Sequence, residues 1–144
     1  MEHSKFHIER LRASGLRPTR QRVAICKILF DRKETFHFTV EKLKKITEKE
    51  SKKKISLATL YNTIHAFEKK GYLKEISLKG SKIFFDTNTK KHHHFYDEET
   101  AQLTDIKGQN ISVNNLPKIP NGKKIKDVEI TIRIANNSQK QKKN

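Results

Sequence analysis

Three hydroxyl-bearing residues, Thr19, Thr39 and Ser56, each stand directly before a stretch whose apolar residues recur at helical spacing. Such a side chain accepts a hydrogen bond from a backbone N–H in the first turn, so the trio marks three helix starts. Val23, Ile25, Cys26, Leu29 and Phe30 follow the first cap, and Val40, Leu43 and Ile46 the second. Leu57, Leu60, Ile64 and Phe67 follow the third and define its expected buried face. An earlier segment, residues 4–14, carries Phe6, Ile8 and Leu11 among charges and reads as one more helix. Gly71 after Lys69-Lys70 closes the helix opened by Ser56. Tyr72 to Ser77 and Lys82 to Phe85 then read as two short strands joined at Lys79-Gly80-Ser81. Helices followed by a β-hairpin predict a winged helix-turn-helix domain over residues 1–86.

The remaining chain changes character. His92 to Tyr96 and Gln102 to Lys107 read as strands, and residues 110–117 as a short helix. Residues 127–134 place Val128, Ile130, Ile132 and Ile134 on one face and Glu129, Thr131 and Arg133 on the other, a half-buried strand pattern. The whole is α+β, with the winged helix-turn-helix followed by a small α/β dimerisation and sensing domain over 87–135. Three short strands make a thin core, and a homodimer would bury more. Residues 136–144 form a basic tail expected to lack fixed structure.

Charge narrows the partner. The 144 residues carry a formal net charge of +16, the signature of a protein that meets a polyanion. Residues 1–86 hold 21 Lys and Arg against 10 Asp and Glu, net +11, whereas residues 87–117 hold 3 against 4, net −1. The excess therefore sits on the predicted winged-helix half. Within it the helix after Ser56 is the expected reader, offering Thr59, Tyr61, Asn62 and His65 to a major groove. Arg17, Arg20 and Arg22 suit phosphates or a narrow minor groove, and Lys79 and Lys82 would add backbone contacts from the wing. No apolar run approaches membrane-spanning length and no signal-peptide core is present, so a cytoplasmic chain without a membrane partner is expected. Cys26 is the single cysteine, which excludes a disulfide framework and a thiolate zinc site.

The near-neutral stretch contains His92-His93-His94. Alternation along a strand points His92 and His94 one way and His93 the other. Two imidazoles with carboxylates nearby suit iron, manganese, zinc or copper, and paired imidazoles also suit haem iron. His3 and His7, a turn apart near the N-terminus, read as surface residues.

Three motifs in order carry a family resemblance: Gly15-Leu16-Arg17-Pro18-Thr19-Arg20-Gln21-Arg22, Ser56-Leu57-Ala58-Thr59-Leu60-Tyr61-Asn62-Thr63, and Phe85-Asp86 with the histidine triplet. From about Phe6 to Ile134 the chain resembles the ferric uptake regulator family. It is most similar to the iron response regulator branch, through Phe85-Asp86-Thr87-Asn88, the triplet followed by an aromatic, and Leu116-Pro117-Lys118-Ile119-Pro120-Asn121-Gly122 leading into Ile125-Lys126-Asp127-Val128. The resemblance implies a dimeric winged-helix repressor or activator on AT-rich, palindromic DNA operators. It implies a regulatory divalent metal between the domains, held by His37, Asp86, His92, His94 and Asp105. It further implies haem binding through His92, His93 and His94.

The chain also departs from the family. Where many members hold a structural zinc with Cys-x-x-Cys pairs, this one has Asp97 and Thr100 and no later cysteine, so no structural four-cysteine zinc is expected. Cys26 is followed by Lys27, which removes the Cys-Pro haem motif, and no histidine follows His94. The expected function is an iron-responsive transcriptional regulator sensing haem or iron rather than an enzyme. A regulator responding to manganese, zinc or peroxide is the alternative, and a metalloenzyme using the histidine cluster a remote one. No His-x-His-x-Asp-His, Gly-rich phosphate loop or nucleophile setting supports that last class.

Overall fold

Four helices and six short strands are present in the computed structural model, which describes residues 2–107 and 111–138. The chain divides after Thr89 into two compact units. The first holds α1 (Glu2–Ala13), α2 (Arg20–Phe30), β1 (His37–Phe38), α3 (Val40–Ser51), α4 (Leu57–Lys70), β2 (Lys74–Ile76) and β3 (Phe84–Asp86). The second holds β4 (His94–Asp97), β5 (Gln102–Asp105) and β6 (Thr131–Ile134). The α+β class, with a helical N-terminal part and a small sheet-containing C-terminal part, matches the sequence expectation.

The helix starts are where the caps place them. Thr19, Thr39 and Ser56 are all extended, and their hydroxyls accept from the backbone N–H of Arg22, Lys42 and Thr59. Gly71 closes α4 at φ 89°, a left-handed conformation that lets its N–H turn back to the Glu68 and Phe67 carbonyls. Leu11, Ile25, Leu29, Leu43, Leu60, Ile64 and Phe67 converge from the four helices onto Phe38 of β1 and Phe85 of β3. Full burial of each such side chain is worth about 1.5–3 kcal/mol. Two threonines share this interior without cost, because Thr47 and Thr63 donate to the Leu43 and Thr59 carbonyls one turn back.

Leu57 is a correction: it is exposed, and Thr63 takes the buried place beside Leu60, Ile64 and Phe67. At the first position of α4 the helix has not yet reached the core. His7 is a second correction. It is buried, with Nε2 bonded to Asp31 Oδ1 at 2.9 Å, which ties α1 to the end of α2. The side chain of His3 lies outside the described residues.

The hairpin is joined by a strand the sequence did not announce. Sheet order is β1-β3-β2, all antiparallel, with His37 opposite Asp86 and Phe38 opposite Phe85. In the second unit β4 is central, antiparallel to β5 and parallel to β6. The strand starting at His92 is shorter than expected and begins at His94. The strand expected over 127–134 is paired only from Thr131, because the Ile130 N–H is taken by the His93 side chain. Residues 111–117 are not helical. Asn114 and Asn115 are weak helix formers, Asn115 is left-handed at φ 58°, and Pro117 disfavours helical geometry at Leu116. Residue 110 of that expected helix, and residues 139–144 of the expected basic tail, lie outside the described residues.

Cys26 faces the first unit's core, and burial pushes its thiol up to about 12, with Arg10 lowering it and Asp31 raising it. A raised thiol is stabilising while protonated, and that contribution is lost as pH climbs from the unfolded thiol's range toward 12. A disulfide reagent at pH 8 should therefore label Cys26 at least about a hundredfold more slowly in the native chain than in denaturant. Equal rates would show an accessible thiol.

Candidate metal centre and nucleic-acid interface

Two sets of candidate ligands are built locally, one in each unit. In the first, antiparallel pairing of β1 with β3 sets His37 across from Asp86, with Nε2 3.6 Å from Oδ2. That separation is charge proximity rather than a hydrogen bond. Asp86 is fully buried, and its other oxygen accepts from the Asn88 N–H at 2.8 Å. A buried carboxylate needs a positive partner to offset lost hydration. Protonated His37 or a cation can supply it.

In the second unit, pairing of β4 with β5 sets His94 across from Asp105. The same oxygen, Oδ1, lies 3.1 Å from His94 Nε2 and 3.3 Å from His92 Nε2. The two imidazoles meet edge to face with centroids 4.3 Å apart. His92 Nδ1 donates to the Lys90 carbonyl at 2.7 Å, so its neutral ring turns an Nε2 lone pair toward the carboxylate. A lone pair facing an anionic oxygen calls for a proton or a metal ion between them. His92, His94 and Asp105 each offer a ligand atom within 4.8 Å of the others. These residues fit a divalent ion, with mixed nitrogen and oxygen donors that iron, manganese and zinc all accept.

His93 has a different partner, although it lies just ahead of β4 rather than within it. Its Nδ1 accepts the Ile130 N–H at 3.1 Å, so a neutral ring carries its proton on Nε2. It holds the strand order rather than joining His92 and His94.

The predicted DNA contacts fall into two kinds. Arg20, at the start of α2, and Lys79 and Lys82, between β2 and β3, are exposed. Tyr61 and Asn62 are exposed on α4, with Tyr61 stacked on His65 at 5.9 Å. Arg17 is exposed in the loop before α2. By contrast, Arg22 turns its guanidinium back to the Arg17 carbonyl at 3.0 Å, and Thr59 shares its hydroxyl with Ser56 at 2.8 Å. Both brace the helix ends rather than project outward. Lys52, Lys53 and Lys54, in the connection between α3 and α4, are also exposed, one residue short of the α4 cap. Neither α2 nor α4 has an acidic residue in its first turn, so the positive ends of both helix dipoles are uncompensated. A basic run one residue ahead of an N-cap was the signal available.

The ferric uptake regulator family model matches residues 13–134. The chain belongs to the ferric uptake regulator family. The peroxide-responsive repressor PerR of Staphylococcus aureus is 32% identical over 99 residues, 69% of this chain. The match spans 65% of that relative's length. The solved Helicobacter pylori ferric uptake regulator, described as having three functional metal binding sites, is 17% identical, covers 96% of this chain and 93% of its own, and gives a TM-score of 0.66. A zinc-bound manganese uptake regulator is 23% identical, covers 89% and 96%, and gives 0.62. At these identities the structural likeness establishes the fold. No helix among the described residues is long and apolar enough to cross a membrane.

Competition with a chromophoric chelator provides a check on the second unit's ligands. Asp105→Ala should weaken manganese or zinc binding at least about tenfold, while His93→Ala should leave it nearly unchanged. The reverse order would remove Asp105 from the ligand set.

Proposed function

We propose that this family member is a metal-responsive, DNA-binding transcriptional regulator acting as a homodimer. The observation that carries the reading is the Asp105 oxygen bracketed by two imidazole nitrogens, a ready cation half-site in a chain whose other unit presents a basic, acid-free helix end. DNA binding is assigned to residues 1–86 through Arg17, Arg20, Arg22, Thr59, Tyr61, Asn62, Lys79 and Lys82, with Arg22 and Thr59 as positioning residues. Dimerisation and sensing are assigned to 87–135, and residues 136–144 add basic charge. One regulatory ion, iron, manganese or zinc, would be held by His37 and Asp86 together with His92, His94 and Asp105. Its charge would offset the buried Asp86 carboxylate and settle the facing donors at Asp105. Because ligands come from both assigned parts of the chain, occupancy would bias how the two reading helices of a dimer are presented to a palindrome.

Dimerisation is supported by the second unit's poor self-burial. Val113, Leu116, Ile119, Ile125, Ile132 and Ile134 are all exposed in the single chain. Selection from random duplexes, with manganese or zinc present, should enrich an AT-rich palindrome. Log affinity should fall linearly with log salt, by about 0.9 for each phosphate neutralised. His37→Ala and His92→Ala should each weaken metal binding and change operator affinity. Equal affinity for all duplexes would end the regulator reading, and a metal effect confined to one of the two variants would end the single-ion reading.

A second reading, in the manner of the iron response regulator branch, makes haem the effector. A cavity of about 640 Å³, lined by His92, His93, Ile106, Val113, Leu116 and Val128, favours it. Ligation through His93 Nε2 would move the ring proton to Nδ1 and so break the hydrogen bond that Nδ1 accepts from the Ile130 N–H. Ligation through His92 or His94 would compete with the divalent ion, so haem should weaken operator binding. Haem titration of the native chain and of a His92→Ala, His93→Ala, His94→Ala variant, following the Soret band and operator affinity together, decides the matter. An unchanged spectrum and unchanged loss of DNA binding in the variant would reject the triplet as the haem site.

A further inference from the structure

We propose that Leu57 is a specificity-determining residue that reads thymine methyl groups in the major groove. The proposal rests on α4 being the reading helix and names what its first residue recognises.

Leu57 is out of place for a helix that packs this well. Leu60, Ile64 and Phe67 are fully buried, whereas Leu57 is 49% exposed. One turn on, Tyr61 is 41% exposed, and another turn brings His65, on which Tyr61 stacks. Leu57, Tyr61 and His65 therefore form a continuous ridge at i, i+4 and i+8 along the outer face of α4, with Ala58 exposed beside them. The neighbouring polar groups at this end are already engaged. Ser56 Oγ accepts the Thr59 N–H, and the Ser56 and Thr59 hydroxyls bond each other. An apolar tip is what the N-terminal turn of α4 offers outward.

The surroundings choose the occupant. Lys52, Lys53 and Lys54 are exposed one residue ahead of the Ser56 cap, with buried Ile55 between, and no carboxylate stands in the first turn. An apolar protein surface or lipid would not need that charge. Duplex DNA matches both features, because phosphates flank a groove floor whose one apolar group is the C5 methyl of thymine. Residues at the N-terminal end of a reading helix are the ones that meet base edges. Burying one methyl against Leu57 should change affinity about threefold to fourfold.

The test uses the full chain with manganese and the operator it selects from random duplexes. Thymines are replaced singly by deoxyuridine, which lacks only the C5 methyl, and affinity is read by fluorescence anisotropy. The native chain should lose about threefold to fourfold at one or two positions in each half-site. Leu57→Ala should bind the thymine operator correspondingly less well and be indifferent to uracil at those positions. Leu57→Met, which keeps an apolar reach, should restore the discrimination. Circular dichroism confirms that the variants fold. If the native chain selects an operator but ignores every uracil substitution, or if Leu57→Ala keeps the same uracil penalties, Leu57 does not read methyls. Loss of dimerisation in Leu57→Ala with unchanged discrimination would make this ridge a contact between copies and overturn the proposal. Absence of any selected sequence would instead reject the regulator reading beneath it.

Discussion

The contact between Phe38 and Phe85, stacked with centroids 5.8 Å apart, organises the first unit. Each ring is adjacent in sequence to a candidate ligand: Phe38 follows His37, and Phe85 precedes Asp86. Burying the two rings together fixes the register that sets His37 opposite Asp86. Phe85 also receives the edge of His65, at 6.5 Å, and His65 stacks on Tyr61. One packed column therefore runs from the strand carrying Asp86 to the outer face of α4. Protein interiors are generally packed closely enough to transmit a shift from one end to the other. The same hydrophobic burial that stabilises the unit thus joins its two chemical faces.

The second unit is organised on a different principle. Its buried side chains are few, chiefly Tyr96, Leu103 and His94, and its order comes from directed polar links. His93 ties β4 to the Ile130 backbone, and Asp105 gathers His92 and His94. Polar links of this kind have little net stability without burial around them. Ile132 and Ile134 on β6 remain exposed, so the apolar periodicity of residues 127–134 is not matched by burial within the chain. A unit held mainly by polar links is also one whose stability a bound cation or a second copy can change substantially.

Local chemistry was legible in the sequence wherever short-range rules decide. The caps at Thr19, Thr39 and Ser56 and the stop at Gly71 depend on neighbouring backbone groups, and all were readable. His92 and His93 do have different partners, Asp105 and the Ile130 N–H, but both precede the strand that begins at His94, so strand alternation does not account for it. What was not legible depended on distant partners. β1 is two residues long and exists only because β3 pairs with it, so no periodic signal could announce it. Leu57 departs from its expected burial because helical periodicity says which residues share a face, not how far the core extends along the helix. His7 reads as an exposed residue near a terminus, yet Asp31, 24 residues away, gives it a buried partner. His37 and Asp105 enter the ligand set through family resemblance. Their local pairing with Asp86 and His94 rests on strand registers that composition alone does not specify.

The donor chemistry separates what this chain can recognise from what it can distinguish. Two imidazoles and a carboxylate, the donor set at Asp105, suit several divalent ions, and affinities for such a set follow the general order of the metals. Thiolates would sharpen the preference, and the single cysteine is a buried neutral thiol. The polar shell offers another lever. The Lys90 carbonyl bonded to His92 Nδ1 makes that ring a better donor without restricting which metal it meets. Selectivity in such a site must therefore come from ligand number, ion availability and the arrangement each ion favours between ligand-bearing segments. On the DNA side the logic is similar. If α4 reads DNA as proposed, the lysines ahead of it would provide attraction without discrimination, and sequence preference would arise from the few uncharged groups on its outer face. On this reading, attraction at both proposed sites would be generic, and specificity would fall to a small number of positioned side chains.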